Sequence, residues 1–513
     1  MKRKNIILRF LLFSTIAMSA IFGTSSCKKF LDVESNHIVN EENKWKDIND
    51  IRGSLLGVYG LLRTAMAENN AHWLYGELRN GDFTALNRRD LQDITEGRLN
   101  SSARLIQEIS DWRRFYAVIN AANLFIERSH EVLAHDKQYT AALHEIDVAQ
   151  MRVVKGFVYY LLARTWGDVP IWDKSYEGAF PKIKVSSVNQ VLTYAENEIN
   201  AVKDKLPFFY GSIIDPVLPA DLYLGFTSVK WSGVLFNRLS AYTILAHINA
   251  LSGNYLEASV FADYVIANAN RGGIAATDIA DITNTTNVGF FFGNRIKHII
   301  GFPFPNSSNE GGTDGHIESL TLAKPLVSKP NPDIYVTVER IVDIFNEPGD
   351  QRFHIDSTGT VQTSYFADFG GIRPIFKKIH IIRNGESGTD GSLPFFTSTL
   401  VFSRFEEINL LRAEANAVLG RTDIATAILN QARKSRGLAE LGPNVDLIDA
   451  VFQERRKELM GEGWRWFDVV RYNKIKKNNP AFQNLITQKG IYWPISQNAL
   501  ANNKELQQNT YWK

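Results

Sequence analysis

One cysteine in 513 residues is the first thing the sequence lacks. A disulfide framework, or a zinc site built on several thiolates, is therefore excluded. Charge of one sign is missing too: 57 Lys and Arg face 55 Asp and Glu, for a net charge of +2. Nucleic-acid binding rests on a concentrated basic face, so no nucleic-acid partner is expected. After the N-terminus no uncharged apolar run reaches the length of about 18 residues that a spanning helix needs. Catalytic signatures are also absent. His144-Glu145 is followed by Ile146, Asp147 and Val148, so an H-E-x-x-H zinc motif lacks its second histidine. Gly385-Glu386-Ser387-Gly388-Thr389 has the wrong spacing for a G-x-S-x-G elbow, and no phosphate-binding loop ends in Gly-Lys-Ser/Thr. What remains is ordinary globular composition, 44% hydrophobic and 22% charged, but rich in aromatics at 12%, which suits binding surfaces as well as cores.

The N-terminus reads as an address. Lys2, Arg3 and Lys4 precede an apolar stretch from Phe10 to Phe22, then Gly23, Thr24, Ser25, Ser26 and Cys27. A basic start, a short apolar run and small residues describe an export signal. At 1.5 Å per residue the run is too short to cross a hydrocarbon core of about 30 Å. The lone cysteine sits where cleavage is expected, as in a bacterial lipoprotein signal, so Cys27 is the expected lipidation site and acyl chains the membrane anchor. Loss of residues 1–26 removes four basic side chains and no acid, which changes the net charge from +2 to −2. Residues 27–46 then read as a polar tether.

Helical spacing dominates the rest. Ile48, Ile51, Leu55, Val58, Tyr59 and Leu62 predict a helix over 47–68. Trp112 to Ile126 predict another over 111–133, and 141–166 a long one that stops at Gly167-Asp168-Val169-Pro170. Further helices are expected at 187–204, 229–252, 254–268, 401–419, 422–436, 446–460 and 464–474. Between 270 and 400, Gly, Asn, Ser, Thr and Pro cluster among aromatics, which predicts loop with short strands. A loop region of that length usually carries function. The chain is thus expected to be mainly α: a helical part over 47–269, an inserted loop-rich ligand-binding region over 270–400, and a helical C-terminal region over 401–513.

A repeat supports helix pairs. AHINALSGNYLEA (246–258) and AEANAVLGRTDIA (413–425) match at Ala246/Ala413, Asn249/Asn416, Ala250/Ala417, Gly253/Gly420 and Ala258/Ala425. Small residues let two helices approach, and the glycine makes the turn, as in degenerate tetratricopeptide repeats. Glu454, Glu458 and Glu462 fall on one helix face beside Arg455, Arg456 and Lys457. They read as an ion-pair network that cements a helix, and Trp464, Trp466 and Phe467 as core anchors. Loop aromatics point to a ligand instead. Trp73, Asp82 and Arg88 follow the first helix, and Phe304, Asn306 and His316 lie in the insertion. Flat rings stack on sugar C–H faces while Asp, Asn, Arg and His satisfy hydroxyls.

Several segments carry a family resemblance. They are Cys27-Lys28-Lys29-Phe30-Leu31-Asp32, MRVVKGFVYYLLARTWGDVPIW (151–172), FSRFEEINLLRAEANAVLG (402–420), ILNQARKSRG (428–437), ERRKELMGEGWRWFDVVRYNK (454–474) and YWPISQNALANNKELQQN (492–509). In this order they resemble the SusD/RagB family of outer-membrane lipoproteins from Bacteroidetes. The resemblance implies a SusD-like fold of tetratricopeptide-type helix pairs with an irregular ligand-binding part. It implies a surface-exposed, lipid-anchored protein of the outer membrane that captures an oligosaccharide and delivers it to a SusC-like TonB-dependent transporter. It implies no enzymatic activity; no cofactor is expected, and the sequence singles out no metal-ligating residue. It also implies that ligand contacts come from the loop after the first helix and from the insertion, here about 69–92 and 302–318. A peptide-binding member of the same fold is the alternative. A helical glycoside hydrolase would need two cleft carboxylates about 5 to 9.5 Å apart, and a pure docking scaffold would bury every aromatic of the insertion.

Overall fold

The computed structural model describes residues 44–79, 81–178, 181–304, 310–384 and 393–513. The chain divides into Met1–Lys46, of which only 44–46 are described, and the compact unit Asp47–Lys513. Cys27, its leader and Asn306 fall outside the described residues.

Local signals set the helix limits. Asp47 caps α1 (Ile48–Ala67) through a reciprocal capping box with Asp50. α2 spans Arg113–Arg128. α3 spans Ala141–Trp166, the expected limits, because Thr140 caps its start and Gly167, at φ +78°, turns the chain off its end. α4 (Val188–Asn200) begins at a Ser187/Gln190 capping box. α5 (Arg238–Ser252) and α6 (Tyr255–Ala267) meet at Gly253, and α7 (Phe405–Val418) and α8 (Thr422–Lys434) at Gly420. The two turns are copies. Gly253 and Gly420 both have positive φ, and Asn254 N–H and Arg421 N–H donate to the carbonyls of Asn249 and Asn416, both at 2.9 Å. That is the Schellman closure, which glycine makes without strain. Asn249 and Asn416 are buried, and each side chain donates to the carbonyl one turn back, at 3.0 and 2.8 Å. α9 (Leu447–Glu458) and α10 (Arg465–Lys476) follow.

α1 packs on α2, α3 on α4, α5 on α6 and α7 on α8, while α2 meets α3, α4 meets α5 and α6 meets α7. The helices therefore stack as pairs in chain order, and α6 and α7 are neighbours although residues 268–404 separate them in sequence. Two expected helices are corrected at their starts. The 229–252 stretch breaks after a short turn, Ser228–Trp231, because Gly233 has positive φ and Asn237 caps a fresh helix. The 401–419 stretch opens as strand β2 (Leu400–Arg404), which pairs antiparallel with β1 (His298–Phe302), with Val401 opposite Gly301. Both strands are buried throughout, so periodicity could not separate strand from helix there. Short helices at Arg89–Thr95, Arg104–Ile109, Val338–Ile344 and Pro480–Thr487 were not expected. Two-residue and three-residue ladders fill the insertion, for example Phe353–Ile355 with Val361–Thr363.

Buried ions hold the C-terminal helices and the insertion together. Glu458 accepts from Arg436 at 2.8 and 2.7 Å, from Arg404 at 3.0 Å and from Arg352 at 3.1 Å. Glu462 accepts from Arg404 and Lys378, and Glu454 from Arg352. Burial pushes the Glu458 carboxyl up, but Arg436 and Arg404 outweigh it and hold it well below the usual range. A second group links α7, α9 and α10: Arg455 bridges Glu407 and Asp468, and Arg471 binds Glu414 at 2.8 Å. The acid run is thus an ion-pair network, but not along one helix face as its spacing suggested: α9 ends at Glu458, Glu462 lies in the loop beyond it, and the partners come from distant segments rather than from Arg455, Arg456 and Lys457. Trp464 and Trp466 are core.

Glu318 is the contrasting case. It is fully buried and, among the described residues, has no ion pair; it accepts from Ser398 Oγ at 2.9 Å and Ile381 N–H at 3.3 Å, and burial pushes it up to about 7. Its folded pKa exceeds the unfolded one. The folded state therefore keeps a proton the unfolded state has shed, and stability is lost as pH rises from the ordinary carboxylate range towards 7. Glu318→Gln removes the titration. Urea denaturation should show the variant gaining about 2 kcal/mol relative to the parent between about pH 5 and pH 8, and a constant difference would sink this assignment.

Candidate functional site

α1 ends at Ala67, and the next residues decide where the chain goes. Asn69 and Asn70 both sit at φ +57°, a left-handed conformation that asparagine tolerates better than most residues. They turn the chain off the helix axis, and residues 71–78 wind directly into the core. Glu77 accepts the amide N–H groups of Gly461 at 2.9 Å and Gly463 at 3.0 Å, and His72 Nε2 lies 2.9 Å from the Glu462 carbonyl. This turn therefore clamps the loop between α9 and α10.

That geometry corrects several expected contacts. Trp73 is 3% exposed and lies edge-on to His72, so neither face of its ring is free for a sugar. Asp82 is buried and bound by Arg456 at 3.1 and 3.0 Å, with Arg465 at 3.3 Å. Its oxygens serve guanidinium groups rather than hydroxyls. His316 is 1% exposed, with Nδ1 3.1 Å from Ser398 Oγ, and burial lowers it to about 4, so it is neutral and part of the core. Arg88 keeps partial exposure but is bound to Asp90, at 3.2 and 2.7 Å. Phe304 alone among the expected rings keeps an open position. It is half-buried, packs on His316 at 4.6 Å, and lies under the Arg63 guanidinium at 4.9 Å. Arg63 also donates to the Pro303 carbonyl at 2.8 Å and pairs with Glu310.

The concave surface lies on the other side of the same helix end. A cleft of about 840 Å³ is lined by Glu68, Asn69, Arg104, Glu108, Asp111 and Arg114, with Arg113 and Asn498 at its rim. Asn69 Nδ2 donates to Glu108 at 3.3 Å, Arg104 to Glu108 at 2.6 Å, and Arg113 to Asp111 at 3.0 and 2.9 Å. Arg114 donates to the Tyr75 hydroxyl, while its Nε has no partner. Arg113 also lines a second cavity of about 310 Å³ with Trp112, Tyr116, Pro170, Trp172 and Leu506. Tyr116 donates to the Pro170 carbonyl at 2.6 Å and packs on Trp172 at 4.6 Å. Local sequence explains the placement. Asp111-Trp112-Arg113-Arg114 opens α2, and the Gly167–Pro170 stop after α3 delivers Pro170 and Trp172. The signal that could have found this site is that acid–aromatic–Arg–Arg cluster at a helix start, which periodicity alone absorbs into a helix.

Chemically, three guanidinium groups face three carboxylates beside a ring-walled cavity. Such a surface offers donors and acceptors in balance next to apolar faces. Among the described residues no group of three or more His, Cys, Asp or Glu is placed to hold a metal, and no helix is long and apolar enough to cross a membrane.

The chain is similar to known proteins over most of its length. The model of the SusD family matches residues 374–512. A solved SusD superfamily protein from Bacteroides thetaiotaomicron is 40% identical, with a TM-score of 0.82 covering 92% of this chain and 100% of that one. The chain belongs to the SusD family. The SusD-like protein P38 of Formosa agariphila is 26% identical over 99% of both chains. A SusD homolog from Bacteroides thetaiotaomicron shares the fold at 20% identity, with a TM-score of 0.74 covering 91% of this chain and 99% of that one. SusD-family proteins are in general nutrient-binding proteins of the outer membrane, not enzymes. The stretch matched by the SusD model holds Lys378, β2 and α7 to α10, hence much of the buried ion network. The cleft residues between Glu68 and Tyr116 lie outside it. Asn498 and Leu506, which line the cleft and the cavity, lie inside it.

Proposed function

We propose that this SusD-family protein captures an oligosaccharide in the cleft at the end of α1 and passes it to a SusC-like TonB-dependent transporter, while lipid on Cys27 holds it at the outer membrane. The observation that carries the reading is the sharing of Arg113 by a polar cleft and an aromatic cavity. Sugar rings present hydroxyls at their edges and C–H faces above and below, and the two linings complement both. Two of the three cleft carboxylates are tied to arginines, Glu108 to Arg104 and Asp111 to Arg113. A glycosidase acid needs the opposite surroundings, an apolar site that keeps its proton on.

The test is a glycan array probed with residues 28–513, with a peptide panel beside it. Glycan binding without product release is expected. Peptide binding alone would move the ligand to the peptide class, which the facing Arg and Glu side chains would also accommodate. Arg113→Gln should weaken glycan binding by about 1–2 kcal/mol, a loss of roughly tenfold, because it removes a charged donor common to both cavities. Isothermal titration of the parent and variant checks this, and unchanged affinity would remove Arg113 from the site. Cys27→Ala should shift the protein from the membrane to the soluble fraction on cell fractionation, since one acylated residue supplies the anchor.

A further inference from the structure

A small cavity away from the cleft has an unusual lining. It has a volume of about 10 Å³ and lies between the last turns of α3, the end of α5, α10 and the closing segment that begins at Ile491 and Tyr492. That is room for one guest of about water size. Its lining carries three cationic side chains, Arg164, Arg471 and Lys474, with His247, which burial keeps neutral, and Tyr160 and Tyr492 beside them.

These side chains differ in what balances them. Arg471 is engaged by Glu414 at 2.8 Å and Asp468 at 2.7 Å, and His247 by Glu407 at 3.1 Å. Arg164 is 6% exposed and, among the described residues, forms no ion pair with a carboxylate, Glu407 acting on it only at longer range. Its guanidinium lies 4.2 Å from the ring centre of Phe467, 5.2 Å from that of Phe402 and 5.4 Å from that of Trp464. Tyr160 supplies its one side-chain hydrogen bond, and Nε and Nη1 have no partner at all. Lys474 forms no ion pair among the described residues and is partly buried. Burial lowers its ammonium, and Arg471 lowers it further. Ring faces attract a buried guanidinium but accept no N–H bond of ordinary strength, so the charge on Arg164 stays largely unanswered.

We infer that this cavity binds one small inorganic anion, chloride under physiological conditions, between the guanidinium of Arg164 and the ammonium of Lys474. The guest fills a space too small for a carboxylate-bearing ligand, takes the free N–H groups of Arg164, and offsets two positive charges that form no ion pair among the described residues. It also joins α3, α5, α10 and the closing segment at one point. Its role is therefore to stabilise the fold, separately from ligand capture.

The test uses the whole mature protein in detergent at constant ionic strength, with chloride exchanged for methanesulfonate, which is too large for the cavity. A site that binds only the folded state raises the folded-to-unfolded ratio by up to about tenfold for each tenfold rise in chloride above its dissociation constant. The midpoint of thermal unfolding should rise with chloride in the parent and lose that dependence in Lys474→Gln. Crystals soaked in bromide should show anomalous scattering between Arg164 and Lys474. Equal stability in the two salts, chloride dependence that persists in Lys474→Gln, or a cavity holding only water in the bromide crystals would each overturn the assignment. Glycan affinity should be the same in both salts, so a failed anion site leaves the capture reading untouched.

Discussion

Glu458→Ala is expected to cost about 3–5 kcal/mol of folding stability, because it strips one carboxylate from three buried guanidinium groups. Arg352, Arg404 and Arg436 are each no more than 1% exposed, and each donates to Glu458. Removing the anion leaves those charges in place and out of water. Arg404 retains Glu406 and Glu462, and Arg352 retains Asp350 and Glu454, but Arg436 keeps only a Glu406 oxygen at 3.5 Å and backbone and hydroxyl acceptors. Its loss is the largest part of the effect. Urea denaturation of the variant checks the figure, with Glu505→Ala as the control. Glu505 meets Lys184 at 3.9 Å on the surface and should change stability by no more than about 0.5 kcal/mol. Near-equal losses in the two variants would mean that the network is solvated. The pH dependence has a definite sign. Because the Glu458 carboxyl is held below its ordinary range, its contribution is complete at neutral pH and fades as pH falls below the range where free carboxyls titrate.

Gly76→Ala is the second large effect, and it acts by contact alone. A methyl carbon at Gly76 would lie 1.8 Å from the carbonyl oxygen of Gly463 and 2.5 Å from its carbon. Both atoms are backbone, so no rotamer relieves the overlap. The turn at 71–78 and the loop between α9 and α10 would have to separate, and the bonds from Glu77 to Gly461 and Gly463 would go with them. Overpacking of this kind costs about 3 kcal/mol or more. Gly57→Ala gives the contrast. It lies on the exposed side of α1 with nothing within 4 Å of the added carbon, and alanine favours helix over glycine by about 0.5–1 kcal/mol there. Thermal unfolding should therefore move in opposite directions for the two variants. A Gly76→Ala protein as stable as the parent would mean that these two loops do not touch.

Much of the helical stack was legible because its signals are local. Thr140 and Gly167 bound α3, and the Asn–Gly pairs at 249–253 and 416–420 mark two copies of one turn. The carboxylate run from Glu454 to Glu462 was legible as an ion network, although neither the end of α9 at Glu458 nor the partners Arg352 and Lys378 could be read from spacing. The candidate site was harder. Trp73 and Asp82 sit in a polar stretch that looks like a loop open to solvent. What buries them comes from far along the chain: Asp82 pairs with Arg456, 374 residues away. A local pattern carries no record of such a partner. The cleft escaped notice for the same reason, since Glu68, Arg104, Arg114 and Asn498 converge only when the C-terminal segment returns to α2.

The contact between α6 and α7 has a consequence for how such a protein can diversify. The chain between them leaves and re-enters the stack at adjacent helices, so it behaves as a closed loop grafted onto a finished frame. Closure entropy grows only with the logarithm of loop length, about 0.6 kcal/mol for each doubling. Lengthening or shortening the exposed parts of the excursion is therefore a small perturbation, provided that β1 still pairs with β2, His316 and Glu318 stay in the core, and Arg352 and Lys378 still reach Glu458 and Glu462. The surface that such a protein presents can thus be altered piecemeal without refolding the helices beneath it.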